Sequence, residues 1–224
     1  MPDGKNLALN TLATEVGRDD GAPASVRGVT KQPSKIFGSL HRLLDVNHRL
    51  TILEVGTALP ETVEFFSRYK CRIHFLDLFS EPLVRELQTV TRPQEIQQRF
   101  SELLTFPPGT KLDICLFWDF LCFLDDQALK AFNEALRPYI RHGTRAHGFG
   151  IHHLAIRLGN KQYGVMDANT LSVRPRHTRQ ADTHPHSQVE MHEMMSCFDF
   201  EKGLLLPDGK LEILLKARED ALEG

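Results

Sequence analysis

Short apolar runs that alternate with amphipathic segments predict an α/β fold, a three-layer αβα sandwich around a mostly parallel, seven-stranded sheet that closes on an antiparallel hairpin. Three observations carry that prediction. The runs 51–55 and 72–78 are apolar with little alternation, as strands buried on both faces are, and a helical pattern separates them. The densest apolar stretch, 112–124, runs into Asp125-Asp126 and a second helical pattern. Near the C-terminus, 198–206 and 211–216 flank Pro207-Asp208-Gly209, a turn signal between two strands.

Taken in order, residues 1–34 carry Gly4, Gly17, Gly21, Gly28, Pro23 and Pro33 among scattered charges and are expected to form a flexible arm. The domain proper is expected over 35–218, with a short tail over 219–224. Ile36, Leu40, Leu43 and Leu44 recur at helical spacing and predict a helix against the sheet edge. The first strand, 51–55, stops at Gly56. Pro60 then opens a helix, since proline is tolerated where the first-turn N–H has no partner, with Val63, Phe66 and Tyr69 expected inward. The second strand ends on Asp77. Ser80 and Pro82 begin another helix, which Arg92-Pro93 breaks; Ile96 and Phe100 mark the next one.

A short third strand is expected over 103–106, before the Pro107-Pro108-Gly109 turn. The fourth lies within 112–124, followed by a helix carrying Leu129, Phe132 and Leu136 and a fifth strand over 145–151. Periodicity is lost over 154–185, which is expected to be a long irregular excursion, and long loops of that kind usually carry function. Ser187 and Glu190 have capping-box spacing, so a helix with Met191, Met194 and Met195 inward precedes the hairpin.

Composition narrows the function. A net charge of -2 over 224 residues gives no clear nucleic-acid signal, because polyphosphate binding needs a clustered basic surface. The loop cluster Arg174, Arg176 and Arg179 is expected to be solvated. No run reaches the roughly 18 apolar residues of a membrane span, and 1–28 lacks a signal peptide's apolar centre, so a cytoplasmic location is expected. The four cysteines, Cys71, Cys115, Cys122 and Cys197, form no close pair and are expected to be buried reduced thiols. The histidines of 147–192 match no zinc spacing, and no metal is expected.

In a parallel sheet with right-handed crossovers, ligands bind beyond the C-terminal ends of the strands. The loop Glu54-Val55-Gly56-Thr57-Ala58-Leu59-Pro60 turns at that edge, and Asp77 emerges beside it. A carboxylate there is suited to vicinal ribose hydroxyls, because it only accepts hydrogen bonds and they both donate. The stretch resembles the first motif of the class I S-adenosylmethionine-dependent methyltransferases, acid-x-Gly-x-Gly-x-Gly, with the acid and first glycine kept, and Ala58 and Pro60 in place of the second and third. Asp77 is similar to the family's second-strand acid, and Leu112-Asp113-Ile114-Cys115-Leu116-Phe117-Trp118-Asp119 to its fourth-strand motif. His142-Gly143-Thr144 stands where the family often has Pro-Gly-Gly.

The resemblance spans about 36–216 and implies a Rossmann-like fold, S-adenosyl-L-methionine as cofactor and a small-molecule or other acceptor. It places Glu54, Gly56, Thr57, Ala58, Asp77, Leu78 and Trp118 at the cofactor and Asp119 at the chemistry, where His152 and His153, just past the fifth strand, are further candidates as base or substrate contacts. Each has a bland reading as well: Glu54 as a partner for nearby donors, Asp77 as a turn cap, Trp118 as a core aromatic, Asp119 as a loop cap. A methyltransferase-like scaffold that binds without transferring is the alternative function. A nicotinamide dehydrogenase is disfavoured, because its fingerprint needs Gly-x-Gly-x-x-Gly and this loop has one glycine.

Overall fold

The computed structural model describes residues 28–42, 44, 48–86, 92–151, 153, 155–156, 158–177 and 182–219. Among them the strands are β1 (Thr30–Pro33), β2 (Leu50–Val55), β3 (Cys71–Leu76), β4 (Ile114–Trp118), β5 (Arg145–Gly150), β6 (Lys161–Asp167), β7 (Thr170–Pro175), β8 (Phe198–Leu205) and β9 (Leu211–Ala217). The α-helices are α1 (Lys35–His41), α2 (Pro60–Phe66), α3 (Pro82–Glu86), α4 (Pro93–Leu103), α5 (Asp126–Leu136) and α6 (Gln188–Met194). Thr30–Pro33 lies in the stretch expected to be an arm, and Ser34 caps α1 by accepting from the Phe37 N–H at 2.9 Å.

The main sheet has six strands in the order β3-β2-β4-β5-β9-β8. Pairing is parallel from β3 to β5 and antiparallel from β5 through β9 to β8, so the expected closing hairpin is present. Alternate residues face opposite layers, as the two-residue period of a strand requires. Leu53, Val55, Cys115 and Phe117 pack with Ile96, Phe100, Leu129 and Phe132 of α4 and α5. Ile52, Ile114, Leu116 and Trp118 face Phe37, Leu40, Phe65 and Phe66 of α1 and α2. Three layers result.

Two expectations about the sheet are corrected. It has six strands because 103–106 forms none: α4 runs to Leu103, and the Leu104 N–H closes on Phe100 O at 2.8 Å. Phe106 is buried through its ring instead, edge-on to His74 at 5.0 Å and to Tyr139 at 4.7 Å, which satisfies an apolar run without a ladder. The 154–185 stretch is not irregular throughout. β6 and β7 form an antiparallel hairpin, and β1 pairs with β7 to complete a second, three-stranded sheet. Its inward residues, Tyr163, Val165, Leu171 and Val173, extend the α1/α2 layer.

Smaller differences have local causes. Val63 is 45% exposed, and Thr62, Phe65 and Phe66 supply the buried face of α2. The Thr62 hydroxyl accepts from the Val165 N–H at 3.0 Å, so the second sheet docks on that side. Cys115, Cys122 and Cys197 are buried thiols, while Cys71 is half-buried. No described helix is long and apolar enough to cross a membrane.

Candidate functional site

The chain passes from β2 to β3 on one side and returns to β4 on the other, so strand order reverses between β2 and β4. Crevices open at such a switch point, outside the C-terminal strand ends. A cleft of about 210 Å³ lies there, lined by Val55, Gly56 and Thr57 after β2, Asp77 and Ser80 after β3, and Trp118 at the end of β4. The second sheet contributes Gln162 and Tyr163 from β6, then Arg176 and His177 just past β7.

Gly56 turns with φ +147°, a region that side chains with a Cβ rarely adopt, and its N–H donates to Leu76 O at 2.8 Å. That bond ties the loop to the end of β3 and sets Gly56 beside Asp77. The Thr57 hydroxyl donates to Gln162 Oε1 at 3.1 Å, which pins the second sheet over the loop. Gly164 makes this docking possible: a Cβ there would lie 2.7 Å from Ser172 Oγ and 3.0 Å from both a Glu61 oxygen and a Leu59 methyl. The Arg174 guanidinium and the Ser172 hydroxyl both donate to Glu61 Oε1, joining β7 to α2. These contacts also keep Arg174 out of the solvated state expected for it, and Arg179 lies outside the described residues.

Asp77 is half-buried and accepts from the Ser80 hydroxyl at 2.6 Å. A carboxylate has roughly four acceptor positions, so capacity remains for further donors. Trp118 forms the floor. It is buried at φ +52°, an uncommon conformation for a bulky residue, which costs on the order of 1–3 kcal/mol and persists only where the surroundings enforce it. Here the enforcement is visible: Tyr163 stacks on the indole at 5.8 Å and 19°, His147 meets it edge-on at 5.5 Å, and its Nε1–H donates to Glu54 Oε1.

Glu54 lies beneath that floor, fully buried, and its second oxygen has no partner among the described residues. Burial pushes its carboxyl up to about 8, an effect the Trp118 hydrogen bond only partly offsets. Asp119 is also fully buried and lies behind the cleft wall, with neither oxygen hydrogen-bonded among the described residues. Its carboxyl is pushed up to about 6 by burial, against the pull of Arg176 and Lys210. The Lys210 ammonium, itself buried, donates to Tyr163 Oη at 3.1 Å and approaches Asp208 at 3.2 Å.

Of the residues expected at the site, Gly56, Thr57, Asp77 and Trp118 line the one cleft. Glu54 and Asp119 sit immediately behind it. Ala58 is exposed and not part of the lining, and Leu78 is buried in the core on the α4/α5 side. His152 lies outside the described residues. Sequence reasoning missed Ser80, Gln162, Tyr163, His177 and Lys210, and placed Arg176 in solvent. One signal was present: Tyr163 and Val165, then Leu171 and Val173, alternate about the turn residues Asp167 and Asn169, the pattern of a hairpin.

No protein-family model and no curated protein matches the sequence. Many of the solved structures similar to the chain are S-adenosylmethionine-dependent methyltransferases. One is the Burkholderia thailandensis 1,6-didemethyltoxoflavin-N1-methyltransferase, with bound 1,6-didemethyltoxoflavin and S-adenosylhomocysteine: 14% identity, TM-score 0.46, over 83% of this chain and 78% of that one. A Clostridium acetobutylicum S-adenosylmethionine-dependent methyltransferase has 11% identity and TM-score 0.45, over 80% of this chain and 89% of the other. The pyocyanin biosynthetic protein PhzM has 14% identity and TM-score 0.42 over 81% of this chain, which spans only 54% of its length.

Proposed function

We propose that the chain binds S-adenosylmethionine in the switch-point cleft and transfers its methyl group to a small-molecule acceptor. The observation that carries this reading is that Gly56 and Asp77, at the ends of adjacent parallel strands, line one cleft floored by Trp118. The donor set fits an adenosyl group: Asp77 keeps acceptor capacity for two ribose hydroxyls, and Gly56 offers backbone without a Cβ. Bound, the sulfonium supplies an electrophilic methyl group. Trp118 gives it an aromatic floor, and Glu54, protonated at neutral pH, holds that floor by accepting from the indole.

Asp119, with its carboxyl pushed up to about 6 and lying behind the cleft wall, is largely ionised at pH 7 and is the candidate to take a proton from the acceptor. Proximity and alignment then carry most of the rate, as in any direct transfer between two bound partners. A second reading, a scaffold that binds without transferring, is favoured by one observation: the Arg176 guanidinium occupies part of the cleft wall and covers Asp119.

Calorimetric titration with S-adenosylhomocysteine tests the first reading. Binding by the wild type and a loss of tenfold or more in Asp77→Asn are expected, since a hydrogen bond to a charged group contributes about 1.5–3 kcal/mol. Absence of binding at millimolar ligand by a folded sample would sink it.

A further inference from the structure

We propose that Arg176 is an internal competitor for the adenosyl part of the cleft and so sets its affinity; the inference rests on the cofactor reading above. The residue is delivered by a fixed backbone. Its N–H donates to Asn160 O at 2.8 Å, and Asn160 Nδ2 donates back to its carbonyl at 2.9 Å, just past the end of β7. From there the guanidinium carbon lies 3.3 Å from the centroid of the Phe79 ring, and one nitrogen lies 3.8 Å from Asp119. The side chain is only 10% exposed.

The guanidinium supplies what a nucleoside would. It is planar, it stacks on an aromatic face, and it presents donors to carboxylates. Phe79 follows Asp77 by two residues, and Asp77 and the buried Asp119 both lend the stacked cation charge stabilisation. Among the described residues the Asp119 approach, at 3.8 Å, is an ion pair without a hydrogen bond, so the buried cation keeps part of its desolvation cost. Burial accordingly pulls the Arg176 guanidinium below its ordinary range.

Volume points the same way. The cleft holds about 210 Å³, whereas pockets for drug-sized ligands run to roughly 300–1,000 Å³. Withdrawal of one arginine side chain enlarges the cleft and uncovers Asp119 in the same movement. Cofactor entry and exposure of the carboxylate behind the wall are thereby coupled, with the backbone of the second sheet left in place.

The test is calorimetry with S-adenosylhomocysteine on wild type, Arg176→Ala and Arg176→Lys, with circular dichroism to verify each fold. Arg176→Ala is expected to bind at least tenfold more tightly than wild type, with Arg176→Lys between them, since lysine keeps the charge and loses the planar face. Millimolar guanidinium chloride should return Arg176→Ala towards the wild-type affinity and leave the wild type unchanged, while sodium chloride at the same ionic strength should do neither. Equal affinity in wild type and Arg176→Ala overturns the competitor and leaves the cofactor reading intact. Weaker binding by Arg176→Ala also overturns it and makes Arg176 a ligand contact. If Arg176→Ala does not fold, Arg176→Gln takes its place under the same criteria. If no folded variant binds, the cofactor reading fails and the competitor falls with it.

Discussion

Replacing Glu54 by glutamine should change how stability depends on pH, and the size of the change follows from the site. In the folded chain the carboxyl is raised from 4.5 to about 8, chiefly because burial disfavours the anion. The folded state therefore holds a proton that the unfolded state releases near pH 4.5. Its stabilisation is complete below that value and is lost as pH rises through about 8, at close to 1.4 kcal/mol per pH unit in between. Between pH 5 and pH 8 the loss comes to roughly 3–4 kcal/mol. Glutamine keeps the acceptor for the Trp118 N–H and cannot ionise. Urea denaturation at pH 5, 6.5 and 8 should place Glu54→Gln within about 1 kcal/mol of wild type at pH 5 and several kcal/mol above it at pH 8. Asp119, raised from 3.8 to about 6, adds a dependence of the same sign at lower pH in both proteins, so the difference isolates Glu54. Parallel pH curves for the two proteins would refute the assignment of a neutral acid beneath the cleft floor.

Two further substitutions test the architecture around the cleft. Gly164→Ala inserts a methyl group where Ser172 Oγ stands 2.7 Å away, and should destabilise by about 1–3 kcal/mol in urea denaturation while weakening S-adenosylhomocysteine binding, because β6 must lift from α2. An unchanged affinity would mean that the second sheet does not shape the site. His147→Leu removes the ring that meets Glu212 Oε1 at 2.8 Å in a fully buried pair, leaving that side chain the Ser34 hydroxyl as its hydrogen-bond partner among the described residues. A loss of about 1–3 kcal/mol is expected, and a neutral effect on the melting curve would count against a structural role for the pair.

The parts of the fold set by neighbouring residues were legible in the sequence. Leu50–Val55, Pro60–Phe66 and Cys71–Leu76 announce themselves through short apolar runs, Gly56 and Pro60, signals that are read without knowing any distant partner. The apolar run at 103–106 misled for the opposite reason: burial fixes that a residue is covered and not whether its backbone joins a ladder. The β6–β7 hairpin was hidden because Gly164, Ser172 and Arg174, interleaved with its apolar residues, look like loop chemistry until Glu61 of α2 is placed opposite them. In the same way Gly56 and Asp77 could be brought to one edge by strand order alone. Arg176 could not be brought there, since its burial depends on a second sheet docking across the cleft.

The chain contains a single tryptophan, and it is the floor of the cleft. Its indole N–H donates to a carboxyl that changes charge near pH 8, and one stacked tyrosine lies against its face. Nearly all the red-edge ultraviolet emission of this protein therefore originates from one point of known surroundings. The site carries its own optical gauge, placed to report a change of charge below the floor without a label.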